Sequence, residues 1–184
     1  MNEASLIIGL VIVLALIAVA IYVAQRQRSH QLRTHFGPEY DHALEGYGHK
    51  RAAERALAAR AKRVDKLQIQ PLSPLRRDEL HGRWQVVQAK FVDNPGSAID
   101  DAHGLLSTVM REQGYPNAKF EDEVELLSVH HPVVVQHYRA AHELAALRSR
   151  GQGGTEELRQ AMIHYRALFE DLLNANHKEN RREA

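Results

Sequence analysis

The chain has 184 residues, of which 26% are charged, with no cysteine and a formal net charge of +1. This length allows one modest domain with its own core, and the lack of cysteine excludes disulfides and thiolate zinc sites. The small net charge conceals an asymmetry, because residues 25–77 hold twelve Lys/Arg and five Asp/Glu whereas residues 78–184 hold twelve and seventeen. We therefore expect a basic N-terminal arm and an acidic distal part.

A continuous apolar segment, residues 4–24, follows a three-residue head, residues 1–3. It carries no charge, and thirteen of its residues are Leu, Ile or Val. A helix rises about 1.5 Å per residue, so about twenty apolar residues cross the hydrocarbon core of a bilayer. On the insertion scale these thirteen side chains favour the membrane by about 4 to 8 kcal/mol. The segment is predicted to be a transmembrane helix.

Basic residues flank only the second end of this segment. Arg26, Arg28 and Arg33 follow it, and no Lys or Arg precedes it. Because basic residues beside a span resist translocation, we expect a single-pass protein of the inner (plasma) membrane. Its N-terminus is then outside and its C-terminal domain is cytoplasmic.

The alternative interpretation of the same segment is a cleaved secretory signal. Ala18-Val19-Ala20 has the small-x-small form that signal peptidase accepts, and cleavage near Ala20 would release a secreted helical domain. A secretory signal also has a basic region before its apolar run, which this chain lacks, and a shorter apolar run. The flanks therefore favour a retained anchor.

Residues 25–73 form a predicted basic arm and linker. Residues 25–36 are expected to prolong the anchor helix until Phe36-Gly37-Pro38 breaks it, since the residue before proline avoids the helical region. Residues 38–67 are rich in Ala, Arg and Glu, which favours a helix, although its apolar stripes are thin. Residues 69–74 contain two prolines and are predicted to be an extended linker, in which Ser73 caps the next helix and Pro74 begins it.

Residues 74–175 have the apolar periodicity of a helical bundle. Four long helices and one short helix are predicted, with no strand, which gives an all-α antiparallel bundle and then a polar tail, residues 176–184. The residues expected to face inward are Leu80, Trp84, Val87 and Phe91, then Ala98, Ala102, Leu105, Val109 and Met110, then Phe120, Val124 and Leu127, then Val134, Tyr138, Ala141 and Leu144, and finally Leu158, Met162, Tyr165, Phe169 and Leu172. Thr155 is expected to cap the last helix.

Several short runs resemble a known group of proteins. The runs are Trp84…Gln88…Phe91-Val92-Asp93…Pro95, Gly114-Tyr115-Pro116, Ser128-Val129-His130-His131-Pro132, Tyr138-Arg139-Ala140-Ala141-His142, and Thr155-Glu156…Leu158-Arg159…Tyr165-Arg166…Leu168-Phe169. Together they resemble uncharacterised bacterial proteins built as one N-terminal span and a helical soluble region. The resemblance covers nearly the whole chain and implies this architecture, but it implies no activity, ligand or catalytic residue.

Twelve histidines raise the hypothesis of a metal-dependent enzyme in a helical bundle. Glu39-x-x-His42 has the spacing of di-iron bundles, which need two such helices and two further inward glutamates, and here the one example lies in the basic arm. In the densest group, His130, His131, His137 and His142, we expect one of the first two to cap the following helix and the others to be solvated. No nucleophile elbow, phosphate-binding glycine loop or zinc-protease helix is present in the sequence. No catalytic, cofactor-binding or metal-binding residue is predicted.

The basic residues beyond the span are predicted to face the membrane surface, where each is worth about 1 kcal/mol beside anionic lipid headgroups. They are Arg26, Arg28, Arg33, Lys50, Arg51, Arg55, Arg60, Lys62, Arg63 and Lys66. A merely solvated basic helix is the alternative. Nucleic acid is disfavoured because no aromatic stacking platform accompanies these residues and the distal part is acidic.

The function that these patterns favour is a membrane-anchored cytoplasmic interaction or scaffold module. Its expected partners are the membrane and a protein of unknown identity. The small-xxx-small pairs Ser5/Gly9 and Ala20/Ala24 are of the kind that allows close helix approach in a membrane, so a homo-oligomer is also open.

Overall fold

A computed structural model describes the backbone of residues 3–180 and the side chains of residues 10–148 and 150–174. Eight α-helices and no strand occupy this part of the chain, which confirms the predicted all-α class. The helices are α1 (Glu3–Phe36), α2 (Pro38–Tyr47), α3 (Lys50–Val64), α4 (Pro74–Asp93), α5 (Pro95–Gln113), α6 (Phe120–His130), α7 (Val135–Ser149) and α8 (Thr155–Asn180). The described part does not include residues 1 and 2 of the predicted head or residues 181–184 of the predicted tail. The Ser5/Gly9 pair lies outside the residues whose side chains are described.

The chain divides into two compact units, Met1–Ala58 and Ala59–Ala184, which we call the proximal unit and the distal unit. The arm and the bundle were predicted to meet at residue 73. The distal unit also includes the end of α3 and the linker, and the backbone N–H of Gln70 donates to the carbonyl of Gln113 at 2.8 Å. The linker is therefore hydrogen-bonded to the C-terminal end of α5.

The proximal unit consists of α1, α2 and most of α3. As predicted, α1 ends at Phe36, Gly37 adopts a φ of 47° and α2 begins with Pro38. The single helix predicted over residues 38–67 is wrong, because α2 and α3 are separate helices. Gly48 ends α2 in the left-handed conformation, with a φ of 68°, which glycine adopts without a steric penalty.

Helix α1 is apolar on all sides. Within the described residues it is the one helix long and apolar enough to cross a membrane, over Leu10–Phe36, and none of its most apolar window is buried. A signal sequence near an N-terminus is also an apolar helix that meets this description. The helix itself therefore fits either a span or a signal.

Two short contacts tie the helices of the proximal unit together. The Tyr40 hydroxyl of α2 donates to the Glu54 carboxylate of α3 at 2.9 Å, and Arg33 of α1 lies 3.3 Å from the Asp41 carboxylate. The Arg33 guanidinium also lies over the Tyr40 ring, 5.8 Å from its centroid, within the range of a cation–π contact. The turns at Gly37 and Gly48 are thus held by polar contacts between neighbouring helices.

The start of α4 follows the predicted capping residues, and α5 has its own cap at each end. The Ser73 hydroxyl accepts the backbone N–H of Arg76 at 3.3 Å and Pro74 is the first residue of α4, as predicted. Asn94 caps α5 through its side chain. Gly114 ends α5 with a φ of 101°, which is the left-handed helix end that glycine favours.

The core of the distal unit lies where α4 packs on α5, α5 on α8, and α7 on α8. Trp84 of α4 stacks on Phe169 of α8 with ring centroids 4.6 Å apart, and both side chains are fully buried. Burial of each large side chain contributes on the order of 2 to 3 kcal/mol. Phe91 and Phe120, which were also predicted in the core, are only half-buried.

The start of α7 differs from the prediction. The backbone N–H of Val135 bonds to the carbonyl of His131, and residues 132–134 form a turn before the helix. Val135 rather than Val134 is therefore the buried residue, while Tyr138 and Ala141 are buried as predicted and Leu144 is half-buried. At the start of α8, the Gly154 N–H donates to the Glu157 carboxylate at 2.9 Å, one residue before the predicted cap.

Candidate membrane-interface site

A basic groove lies in the proximal unit. It lies between α1 and α3 and has a volume of about 790 Å³. Its lining residues are Tyr22, Gln25, Arg26, Arg28 and Ser29 of α1 and Lys50, Arg51, Glu54 and Arg55 of α3. Five of the ten residues predicted to face the membrane surface line this groove.

The helical period explains which residues face the groove. Tyr22, Gln25, Arg26 and Ser29 lie at positions i, i+3, i+4 and i+7 of α1, so they share one face. Lys50 with Glu54, and Arg51 with Arg55, are each four residues apart on α3. The turns at Gly37 and Gly48 bring the start of α3 back to the second half of α1, and the two faces form the groove.

The groove carries five cationic side chains and one carboxylate, Glu54. That carboxylate already accepts the Tyr40 hydroxyl at 2.9 Å and lies 3.8 Å from the Lys50 ammonium. Burial and the Glu54 carboxylate raise the pKa of Tyr40, which keeps its hydroxyl a donor. The Glu54 carboxylate is therefore already bound by side chains of the proximal unit, and the groove as a whole is positively charged.

The arginines of the groove have donors to spare. Arg55 Nε donates to the backbone carbonyl of Arg51 at 3.2 Å. Arg26, Arg28 and Arg51 form no ion pair with a carboxylate among the residues that the structure describes. A guanidinium presents several N–H donors in a fixed plane. The arrangement is suited to binding an oxyanion.

The other predicted membrane-surface residues have different surroundings. Arg33 is paired with Asp41 in the proximal unit. Arg60 is 7% exposed and its guanidinium lies 3.3 Å from Glu125, a burial that is at odds with contact to lipid headgroups. Arg63 contacts the same carboxylate. The remaining two, Lys62 and Lys66, are exposed.

Sequence reasoning singled out the cations but not Gln25, Ser29 or Glu54. The spacing of Tyr22, Gln25 and Ser29 along one helical face was a usable signal. No signal in the sequence showed that α3 returns to this face, because that depends on the backbone conformation at Gly48.

Two histidines of the densest group, His131 and His137, are paired with side chains of α8. His131 is buried with its Nδ1 2.6 Å from the Asp171 carboxylate, and it ends α6 instead of capping α7. His137 Nδ1 lies 2.8 Å from His164 Nδ1. Among the other histidines of this group, His130 is exposed, as expected. The expectation is wrong for His137, because the packing of α7 on α8 brings His164 against it.

His142 also departs from that expectation. Its ring stacks on Phe120 with centroids 3.7 Å apart. Burial, with a smaller contribution from His103, lowers the pKa of His142, and burial together with His137 lowers the pKa of His164. Both rings are thereby favoured in the neutral form.

Metal ligation finds no support in this geometry. Among the described residues there is no group of three or more His, Asp or Glu placed to hold a metal ion. In the Glu39-x-x-His42 motif, Glu39 is fully buried while His42 is exposed, so the two side chains do not converge on one buried site of the di-iron kind.

Comparison with known proteins adds no family to these observations. No family model, no curated protein and no solved structure matches the chain. The features that bear on function are the apolar helix α1, the basic groove beside its second half, and the compact helical distal unit.

Proposed function

We propose that the chain is a single-pass protein of the inner (plasma) membrane, with α1 retained as its anchor. The carrying observation is that the large apolar side chains from Leu10 to Val23 are between 45% and 64% exposed on every side of the helix. A helix that is apolar all round needs an apolar environment on all sides. A bilayer supplies that environment.

The charges around α1 support a cytoplasmic distal unit. Arg26, Arg28 and Arg33 follow the apolar segment and no basic residue precedes it. Basic residues beside a span stay on the cytoplasmic side. The N-terminus is then outside, and the distal unit is an interaction or scaffold module that faces the cytoplasm.

A shallow depression on the distal unit supports the interaction role. It is lined by Arg83, Val86 and Val87 of α4 and by Asp101 and Leu105 of α5, with a volume of about 240 Å³. Apolar side chains between one cation and one carboxylate are the composition of a protein-binding surface, with an apolar centre and a polar rim. The partner is a second protein or a second copy of this chain.

Membrane topology is tested with single introduced cysteines, because the chain has none of its own. Val92 is 83% exposed, so a maleimide that enters the compartment of the distal unit is able to react with V92C. In spheroplasts of the expression host, a membrane-impermeant maleimide is expected to label N2C at once and V92C only after lysis. Labelling of V92C in intact spheroplasts would contradict the proposed orientation.

The interaction role is tested with a photo-reactive residue placed at Val86. A matched control places it at Ile163, an apolar residue of α8 that is 46% exposed. We expect a discrete cross-linked adduct from position 86 in living cells and none from position 163, with the mass of the adduct separating a self-complex from a second protein. Identical adduct patterns at both positions would reject the depression as a docking surface.

The alternative, a secreted helical domain, is favoured by one observation. An apolar helix near the N-terminus fits a signal sequence as well as a span, and Ala18-Val19-Ala20 supplies a cleavage site. In that case V92C is labelled without lysis and the mature chain begins near residue 21.

A further inference from the structure

The basic groove between α1 and α3 has the position, charge and size of a ligand site. We propose that it binds the phosphate group of an anionic membrane lipid, at the level of the lipid headgroups. This deepens the proposed function and rests on it, because the depth of the groove in the membrane follows from α1 being the anchor.

The position of the groove along α1 matches the headgroup layer. Tyr22 lies near the end of the apolar segment, and Ser29, seven residues later, lies about 10 Å further along the helix axis. The polar layer on each side of a bilayer is about 5 to 8 Å thick. The groove thus begins where acyl chains end and extends through the headgroups, with Tyr22 as an aromatic residue at the interface.

The charge of the groove selects an anion. Arg26, Arg28, Lys50, Arg51 and Arg55 line it together with one carboxylate. That carboxylate is engaged by a tyrosine hydroxyl and by the lysine. An anion entering the groove therefore meets arginine donors that have no carboxylate partner within the described residues.

The donor types favour phosphate among anions. A guanidinium binds two phosphate oxygens at once through parallel N–H donors, with charge-assisted hydrogen bonds. The Ser29 hydroxyl and the Gln25 amide add neutral donors at the same face of α1. A phosphodiester shares one negative charge between two non-bridging oxygens and has two further ester oxygens, so it is able to use donors from both helices.

The size of the groove favours a lipid headgroup over a bare ion. Its volume of about 790 Å³ falls within the range of about 300 to 1,000 Å³ that is typical of small-molecule sites. Phosphate chemistry is shared by lipid headgroups and soluble phosphate esters. The apolar helix that leads into the groove is an element that only a lipid uses, so the test contains one arm for each source.

The test uses the full chain purified in a mild non-ionic detergent, with bound lipid measured by native mass spectrometry. The probes are phosphatidylglycerol, phosphatidylcholine and glycerol 3-phosphate. The groove variant is R26Q/R51Q/R55Q, and the matched control is K62Q/K66Q/K119Q, which removes the same charge from exposed positions outside the groove. Circular dichroism checks that both variants keep their helix content.

We expect phosphatidylglycerol to bind the unmodified chain at least tenfold more tightly than phosphatidylcholine or glycerol 3-phosphate. The groove variant should lose at least tenfold in affinity for phosphatidylglycerol, and the control less than threefold. Equal losses in the two variants would overturn the site in favour of diffuse charge attraction. If phosphatidylcholine bound as tightly as phosphatidylglycerol, the groove would not select lipids that carry a net negative charge. If glycerol 3-phosphate bound as tightly as phosphatidylglycerol, the natural ligand would be a soluble phosphate ester and not a lipid.

The test separates this site from the proposed function. Lipid affinity in detergent does not depend on which way the chain crosses a membrane, whereas labelling of V92C does. If the chain showed no selective lipid binding while V92C stayed unlabelled in intact spheroplasts, only the lipid site would be rejected. If lipid binding depended on the groove while V92C was labelled in intact spheroplasts, only the membrane orientation would be rejected.

Discussion

Helices α1 and α8 are both long, 34 and 26 residues, yet they place their apolar residues differently. Between Leu10 and Val23, the apolar side chains of α1 surround the helix and are exposed. Those of α8 form one stripe, and that stripe is buried: Leu158, Met162, Tyr165, Phe169 and Leu172. The angular distribution of apolar residues therefore differs, since α8 presents one buried stripe whereas α1 presents apolar side chains on all sides between Leu10 and Val23.

The charged residues of the two helices repeat this difference. In α1 no charged residue lies between Glu3 and Arg26, whereas in α8 charged residues alternate with the stripe from Glu156 onward. Salt bridges along α8, such as Glu156 with Arg159 at 2.7 Å, lie on its solvent face. A helix in water needs such a face along its whole length, and a span needs it only beyond the membrane.

The largest effect is expected from removing a buried ring of α8. Phe169 is fully buried and stacks on Trp84, the single tryptophan of the chain. Phe169→Ala leaves a cavity and should lower the free energy of unfolding by about 3 to 5 kcal/mol. Urea unfolding of the full chain in detergent, followed by Trp84 fluorescence, measures this.

Two control variants sharpen this contrast between the helices. Ile163→Ala changes an apolar residue of α8 that is 46% exposed, and Leu16→Ala changes one of α1 that is 64% exposed. Each should change the unfolding free energy by less than about 0.5 kcal/mol. A loss at Leu16 as large as that at Phe169 would show that α1 packs in a protein core.

Two glycines of the distal unit are expected to respond with opposite signs. A Cβ at Gly114, where φ is 101°, would lie 2.4 Å from the carbonyl oxygen of Gln68, so Gly114→Ala should destabilise by about 1 to 3 kcal/mol. A Cβ at Gly82 within α4 meets open space, so Gly82→Ala should stabilise by about 0.5 to 1 kcal/mol. Thermal unfolding of both variants measures the pair, and stabilisation by Gly114→Ala would contradict the close approach of the linker.

A buried hydrogen bond should contribute less. The Tyr138 hydroxyl donates to the Glu123 carboxylate at 2.7 Å, and Tyr138→Phe leaves this acceptor without its donor, at about 1 to 2 kcal/mol. Tyr165→Phe is the control, because the Tyr165 hydroxyl makes no hydrogen bond among the residues that the structure describes. Burial raises the pKa of Tyr165 to about 12. Equal losses of unfolding free energy in the two variants would mean that the hydrogen bond of the Tyr138 hydroxyl adds no stability.

The smallest effect is expected from acidification. Burial lowers the pKa of both His142 and His164, so the unfolded state binds more protons than the folded state as the pH falls through the ordinary histidine pKa of about 6.5. Stability should therefore be full above that pKa and decrease below it. His164→Gln/His142→Gln should flatten the profile of unfolding midpoint against pH between about 7.5 and 5.5, and an unchanged slope would reject a role for these two histidines.

Much of the fold was predictable because the deciding interactions are local. Ser73-Pro74 fixes the start of α4 and Phe36-Gly37-Pro38 separates α1 from α2, and both were predicted correctly from the sequence. The stripe of α8 was also correct, since a period of 3.6 residues over 26 residues leaves one apolar face.

The errors and omissions come from contacts between distant residues and from local backbone conformations that residue types alone do not determine. The pairing of His131 with Asp171 joins residues 40 apart, and no spacing rule connects them. The start of α7 was placed too early because Pro132 suits the first turn of a helix, whereas the carbonyl of His131 actually bonds to Val135. The groove needs the left-handed turn at Gly48, and a glycine in the sequence does not reveal which conformation it adopts.

Retention of α1 is tested most directly by the mass of the mature chain in alkali-washed membranes. Untagged protein should be recovered from the washed membranes as the complete 184-residue chain of 20.8 kDa. A chain shortened by about 20 residues and recovered in the soluble or periplasmic fraction would contradict the anchor, and with it the cytoplasmic placement of the distal unit and the lipid groove.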